Sequence, residues 1–305
     1  MTAANLNIAR QNCSSPLRIH VIIATYGRPD SVRKLLKHLE NQTRPADGIV
    51  VIGTCPADIA GLDNVSANTR VIVGPRGTCC QRNSGIEMIK DEADVVIFFD
   101  DDFVPANDYL AATEALMVAD PEIAGLTGML VDDGVSHEPI PFDVAVRRLE
   151  IDGERPPQTE HLPRQALYGC NMAMRLAVLG DLRFDENLPL YGWLEDVDLT
   201  YQLGKRGKLI SGPEITGIHL GDRGGRQPGK RLGYSQVANV IYLYRKGTMQ
   251  PDIGWRQLLK NISANLVHSI SPEPHIDRRG RLAGNLLAIA DFLRGKLDPR
   301  KIVSL

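Results

Sequence analysis

The 305-residue chain is 43% hydrophobic, enough to bury a sizeable core as one large domain or one domain with an appendage. Its 35 Lys and Arg against 37 Asp and Glu leave a net charge of -2, which excludes a general attraction to nucleic acid or anionic lipid. Five cysteines, with Cys79 and Cys80 adjacent, fit neither an even disulfide framework nor a paired C-x-x-C zinc site and read as reduced thiols.

Residues 1–17 form a polar tail with no apolar stretch behind a basic start, so no secretory signal is expected. No run of about 18 apolar residues offers a membrane span. A cytoplasmic protein is expected, at most lying on the inner face of a membrane.

Residues 18–24 are a short β-branched run ended by Thr25-Tyr26-Gly27, which suits a buried parallel strand feeding a loop. A helix follows, with Asp30 as its cap and Val32, Leu35, Leu36 and Leu39 at helical spacing. Strands are predicted at 48–54 and 69–73. Gly74-Pro75-Arg76-Gly77 turns the chain into a helix over 79–90, and 93–100 is a fourth strand. This alternation means parallel strands joined by crossovers, with ligands beyond their carboxyl ends. A helix over 108–120 and a strand over 123–129 come next. Residues 130–165 then lose periodicity, gain Pro, Asp and Arg, and read as a variable insertion. Order returns with Tyr168-Gly169-Cys170-Asn171, a helix over 195–206, and short strands at 208–211 and 215–220. Beyond residue 235 the pattern is helical, with one break at Ser271-Pro272-Glu273-Pro274.

Asp100, Asp101 and Asp102 follow five apolar residues, so three acids emerge at the mouth of a buried strand. Alternate residues of an extended segment face the same way, which puts Asp100 and Asp102 on one side. Oxygen donors at that spacing suit Mg²⁺ or Mn²⁺; a solvated turn with a capping Asp is the alternative. Tyr191-Gly192-Trp193-Leu194-Glu195-Asp196 puts aromatics and acids at a helix start, where acids are also favoured by the helix dipole.

These elements, in this order, resemble the inverting family 2 glycosyltransferases of the GT-A fold, a D-x-D motif family. The resemblance implies an α/β, Rossmann-like, mostly parallel central sheet with a helical extension. It divides the chain into a catalytic domain over 18–234, with a nucleotide-sugar half (18–129) and an acceptor half (166–234), and a helical region over 235–305. It implies a divalent cation, Mn²⁺ or Mg²⁺, held by Asp102 and Asp100, with His219 as a further ligand; a lone His ending an apolar strand is otherwise a packed or capping residue. Thr25, Tyr26 and Arg28 correspond to the loop against the nucleotide. Gly77, Arg82 and Asn83 resemble the G…RN-x-G segment that approaches the donor, and Asp100 and Asp101 lie beside it. Asp196 is implied as general base and Glu195 as the residue that orients the acceptor. Trp193 would stack on a sugar, or belong to the core. Arg223 and Arg226, in a glycine-rich basic loop, would close over the diphosphate. In place of the family's base-reading Asp after the second strand stands Gly53-Thr54-Cys55-Pro56-Ala57-Asp58, with Asp58 displaced, and the nucleotide is left unassigned.

The implied activity is inverting transfer of a sugar from a nucleotide-diphosphate donor to a hydroxyl of a glycan or lipid-linked acceptor, as in polysaccharide biosynthesis. The helices over 255–269 and 279–296 mix apolar stripes with Lys and Arg, which fits core packing, a homodimer or peripheral membrane contact. Two rivals stand beside this reading: a haloacid dehalogenase-like phosphatase with Asp100 as nucleophile, and a non-catalytic nucleotide-sugar-binding module. Asp100 follows three strand-helix units, whereas the phosphatase element normally ends the first strand.

Overall fold

The computed structural model describes residues 16–305 apart from 64, 66, 136, 154–159, 223, 225–227, 272 and 274–275. The tail expected over 1–17 therefore falls almost wholly outside the described residues, as do Pro272 and Pro274 of the predicted break. The first half runs β1 (Ile19–Ala24), α1 (Pro29–Leu39), β2 (Gly48–Gly53), β3 (Thr69–Val73), α2 (Thr78–Ile89) and β4 (Val95–Asp100). Then come β5 (Phe103–Pro105), α3 (Tyr109–Ala119), β6 (Ile123–Asp133), α4 (Phe142–Gly153), β7 (Leu162–Pro163), β8 (Asn171–Arg175), α5 (Leu176–Leu179), α6 (Glu195–Leu203) and β9 (Lys208–His219). Three long helices follow: α7 (Gly229–Lys246), α8 (Pro251–Ile270) and α9 (Arg278–Leu293).

The nine strands of the described residues join one sheet, in the order β3-β2-β1-β4-β8-β6-β9-β5, with β7 on β9. The α/β class expected from the sequence is present. β3, β2, β1 and β4 are parallel, as strand-helix alternation requires. The other half is mixed, because β8 runs against both β4 and β6 while β6 and β9 are parallel. Successive residues of a strand face opposite sides, so Ile22 and Phe98 enter one core and Ile23 and Phe99 the other. This two-sided burial is why β1 and β4 read as unbroken apolar runs.

Several local expectations change. Arg28, not Asp30, is the N-cap of α1, because Pro29 fits the first helical turn and Asp30 instead pairs with Arg33 one turn on. The two strands predicted at 208–211 and 215–220 are one strand, β9, whose pairing with β6 is interrupted by register shifts. The aperiodic stretch contains α4, where Phe142, Ala145 and Leu149 recur at helical spacing and pack with Ile218 and Leu220. Its polar residues mask that repeat in the sequence.

The inner faces of the C-terminal helices are core. Tyr234, Val237, Leu258 and Ala288 share a cluster with Ile22 and Phe98. Helices α7 and α9 touch backbone to backbone: a Cβ on Gly233 would sit 2.0 Å from the Arg281 carbonyl oxygen, and one on Gly284 2.1 Å from that of Lys230. Buried amides lock the three together, with Asn265 Nδ2 donating to Gln236 at 2.8 Å and to Asn285 at 2.9 Å. Among the described residues no helix is long and apolar enough to cross a membrane.

Lys246, in the last turn of α7, reaches Asp185 at 2.6 Å and Asp198 of α6 at 2.7 Å. The Asp198 side chain is fully buried, so removing its cation strands a charge in the core. Lys246→Met is expected to lower stability by about 3 kcal/mol, read as a fall in the urea midpoint at unchanged slope.

Candidate active site

The sheet order reverses at β1, which lies between β2 and β4, and ligand crevices form at the carboxyl ends of strands at such a switch point. Ala24 pairs with Asp100, so the loop from Thr25 and the acids after β4 start side by side. A cavity of about 360 Å³ opens there.

Thr25, Tyr26 and Arg28 all line it. Thr25 Oγ1 donates to Asp101 at 2.6 Å, and Arg28 pairs with Asp101 at 2.5 Å and Asp102 at 3.3 Å. Asp101 is thus a buried strut between the two loops as well as part of the wall. The exposed ring of Tyr26 lies under the Arg76 guanidinium, 4.9 Å from its centroid. Asp58, which the sequence left without a role, accepts from the backbone N–H of Gly27 at 2.8 Å, Thr54 at 2.7 Å and Cys55 at 3.2 Å. Both its oxygens are committed to shaping the loops after β1 and β2.

On the next wall Asp100, Asp102 and His219 bring ligand atoms within 4.8 Å of one another. Strand register explains the meeting. β5 pairs with β9 so that Phe103 faces His219, and the Leu220 N–H donates to the Asp102 carbonyl at 2.8 Å. Gly217 permits this approach, because a Cβ there would lie 2.1 Å from the Phe103 ring. His219 Nε2 is 3.4 Å from Asp102, and Nδ1 is 3.1 Å from Asp133. Tyr168 donates to the other Asp133 oxygen at 3.2 Å. Burial opposes a charge on His219, but hydrogen bonds to Asp102 and Asp133 outweigh it and hold its pKa up at about 10. Two carboxylates and an imidazole, one of its nitrogens fixed by a carboxylate behind it, fit a divalent cation such as Mn²⁺ or Mg²⁺.

Arg82, 2% exposed, joins this wall to the next. Its guanidinium donates to Asp100 at 2.8 Å, to the Gly169 carbonyl at 2.8 Å and to Glu195 at 2.9 Å, between the rings of Phe98 and Phe184. Glu195 and Asp196 open α6 after a residue in left-handed geometry, Leu194 at φ 75°. Asp196 accepts from the Gly169 N–H at 2.9 Å and the Val197 N–H at 2.8 Å. Burial, then the neighbouring Asp196, push Glu195 up to about 8 against the pull of Arg82. Burial also raises Asp196, though its two N–H donors favour the ionised form. The pair therefore resists a double charge and titrates as a unit. Trp193, half-buried, and Gly77, at φ 128°, complete the wall.

The structure brings most of the sequence-derived residues to this one cavity, with Asp102 just behind its wall. Asn83 is placed elsewhere: it donates to the Phe184 carbonyl at 2.9 Å and accepts from the Phe184 N–H at 2.9 Å, clamping a buried loop and not meeting the cavity. Arg223 and Arg226 lie outside the described residues. Sequence reasoning missed Arg76, Asp133 and Tyr168. Arg76 and Tyr168 sit within segments already singled out, whereas Asp133 falls in the stretch read as insertion and carries no local signal.

The family model for glycosyl transferase family 2 matches residues 20–183, more than half of the chain. The chain belongs to that family. No curated protein sequence matches this family 2 chain. Among solved structures it is similar to residues 1–349 of S. aureus TarS, with 16% identity, TM-score 0.56, and 95% of this chain and 83% of that one covered. It is similar to the mannosyltransferase PcManGT of Pyrobaculum calidifontis in complex with GDP-Man and Mn²⁺, at 15% identity, TM-score 0.54, and 95% and 86% coverage. It is also similar to GalNAc-T7 with UDP, GalNAc and Mn²⁺, at 15% identity and TM-score 0.54; 86% of this chain is covered, but it spans only 59% of that one. These likenesses establish a GT-A glycosyltransferase fold. With family membership they set aside the phosphatase built on Asp100.

Asp133→Asn should weaken Mn²⁺ binding by about 10- to 100-fold, because the second partner of a ligating His fixes its tautomer and orientation. Calorimetric titration of Mn²⁺ checks this, and unchanged affinity would remove Asp133 from that role.

Proposed function

We propose that this family 2 chain is a metal-assisted, inverting glycosyltransferase that moves a sugar from a nucleoside-diphosphate donor to a hydroxyl of a glycan or lipid-linked acceptor. One observation carries the reading: the Asp100–Asp102–His219 cluster and the Glu195–Asp196 pair flank a single cavity and are joined through Arg82. Mn²⁺ named with UDP and with GDP-Man in two fold neighbours supports a metal and a nucleotide donor.

Asp100, Asp102 and His219 would hold the divalent cation, which when bound neutralises charge on the departing diphosphate. The remaining chemistry belongs to this chain. A sugar hydroxyl is a weak nucleophile, and Asp196 takes its proton as it attacks the anomeric carbon from the face opposite the diphosphate. Glu195, anchored by Arg82, orients the acceptor by hydrogen bonding to it. Arg82 keeps Asp100 and Glu195 at fixed separation, so metal wall and base wall cannot drift apart. Tyr26 offers the donor an exposed aromatic face and Arg76 a cation beside it. Trp193 offers the sugar a second aromatic surface. The division of the chain into a catalytic domain over 18–234 and a helical region from 235 belongs to the same proposal.

Asp196→Asn is expected to retain Mn²⁺-dependent binding of nucleoside diphosphate by calorimetry while transfer falls by about 10²- to 10⁴-fold. Unchanged transfer would remove Asp196 as the base, and a wild-type chain that binds nucleotide but transfers to no acceptor would favour a binding module.

Since the base works ionised and burial raises its pKa, kcat/KM should fall on the acid side with an apparent pKa above the ordinary Asp value of about 3.9. A pH profile of transfer checks the sign, and an acid limb at or below the ordinary value would contradict it.

A further inference from the structure

Asp196 belongs to two cavities. It lines the one that holds the cation cluster and also a second, of about 410 Å³, on the side of β6. Among the described residues, Tyr168, Asp196 and Val197 are common to both, so they form the partition between them. Displacement with inversion needs the acceptor hydroxyl and the leaving diphosphate on opposite faces of the sugar. With the diphosphate side fixed by Asp100 and His219, a hydroxyl that reaches Asp196 from the other side comes through the second cavity.

Its walls state what they would receive. Met129 and Leu130 of β6 and Ala166 give a largely apolar surface, and among the described residues Arg164 is the one cationic residue on it. Arg164 is held at its base, where its N–H donates to the Leu209 carbonyl at 2.9 Å beside the pairing of Pro163 with Ile210. Its guanidinium has no hydrogen bond or ion pair with any described residue. Arg28, Arg82, Arg148 and Arg206, by contrast, are each paired with a carboxylate. An unpaired fork of N–H donors suits the oxygens of a carboxylate or phosphate. With that group on Arg164, the hydroxyl of the same sugar turns toward Asp196.

We propose that the second cavity is the acceptor subsite, and that Arg164 selects an acceptor carrying a carboxylate or phosphate on the sugar that presents its hydroxyl to Asp196. This rests on the reading of Asp196 as the base.

The test measures binding without turnover. The full chain with Mg²⁺ is titrated, by ligand-observed NMR, with p-nitrophenyl β-glucoside, p-nitrophenyl β-glucuronide, p-nitrophenyl β-glucoside 6-phosphate and inorganic phosphate. At least one acidic glycoside should bind about 10-fold tighter than the neutral one, as one charge-assisted hydrogen-bonded pair allows, and the stronger of the two tells carboxylate from phosphate. Arg164→Gln should erase that preference and leave the neutral glucoside unchanged. Met129→Trp, checked by thermal denaturation to be folded, should fill the cavity and weaken all three glycosides while the melting shift given by nucleoside diphosphate persists.

Equal binding of acidic and neutral glycosides to the wild type would overturn the proposal, as would a preference that survives Arg164→Gln or inorganic phosphate competing as well as the glycosides. If Asp196→Asn proves inactive while these tests fail, the acceptor subsite alone falls. If Asp196→Asn stays active, the base assignment falls instead.

Discussion

The buried guanidinium of Arg82 is the constraint on which the site depends. It ties the end of β4, through Asp100, to the start of α6, through Glu195, and to the chain entering β8, through the Gly169 carbonyl. Those three elements come from positions 18, 113 and 87 residues away along the chain. A cation taken out of water is costly unless charge and hydrogen bonds surround it, and here two carboxylates and a carbonyl do so while Phe98 and Phe184 flank it. In turn the acids are tolerated at the mouth of an apolar strand because the cation is there. Neither the Asp100 wall nor the Glu195–Asp196 wall keeps its charge balance without Arg82, which gives physical content to treating them as one site.

Charge balance on the donor side follows the same logic. Arg28 neutralises Asp101 and Asp102, and His219, held protonated between Asp102 and Asp133, neutralises the inner carboxylate. The carboxylates that would hold a divalent ion are thus balanced by internal cations. A ligating His is neutral, so under the proposed metal binding His219 would give up its proton and Asp102 its imidazolium partner. Asp58 serves a different end: with both oxygens on backbone N–H groups it fixes loop shape and is not free to read a base. Tyr26 and Arg76, by contrast, remain on the cavity wall.

What the sequence made legible was local. Strands β1 and β4 announce themselves by unbroken apolar runs, and three acids after such a run must be solvated, paired or metal-bound, so Asp100 and Asp102 could be named. Helix α6 announces its acids through the turn before it. Features that arise from register or from long-range pairing were not legible. That His219 faces Asp102 depends on the pairing of β5 with β9, and that Asp133 stands behind His219 depends on β6 continuing past Met129. Helix α4 was hidden because only a narrow stripe of it is apolar. Asn83 was misplaced for the opposite reason: it sits one residue after Arg82 within a helix, so the two side chains point in different directions, one to the acids and one to the Phe184 loop.

Backbone strain shows how the Glu195–Asp196 pair is delivered. Leu190 and Leu194 are the non-glycine residues with positive φ among the described residues, at 60° and 75°, and Gly192 between them is at 74°. Left-handed geometry at a branched residue costs on the order of 1 kcal/mol and persists only where the surroundings over-determine it. They do so here. The Thr78 N–H donates to the Leu190 carbonyl at 2.8 Å, and the bare Gly77 leaves room for that approach. Asn239 of α7 holds the Trp193 carbonyl at 2.7 Å, and Arg82 holds Glu195. A relaxed turn would start α6 at a different angle and carry Asp196 off the partition between the two cavities. The loop is therefore strained because three separate elements fix its course, and the helical region after residue 228 takes part in that fixing through Asn239. Removing α7 would release the turn as well as expose the core, so the C-terminal helices contribute to the geometry of the acids that face the cavity.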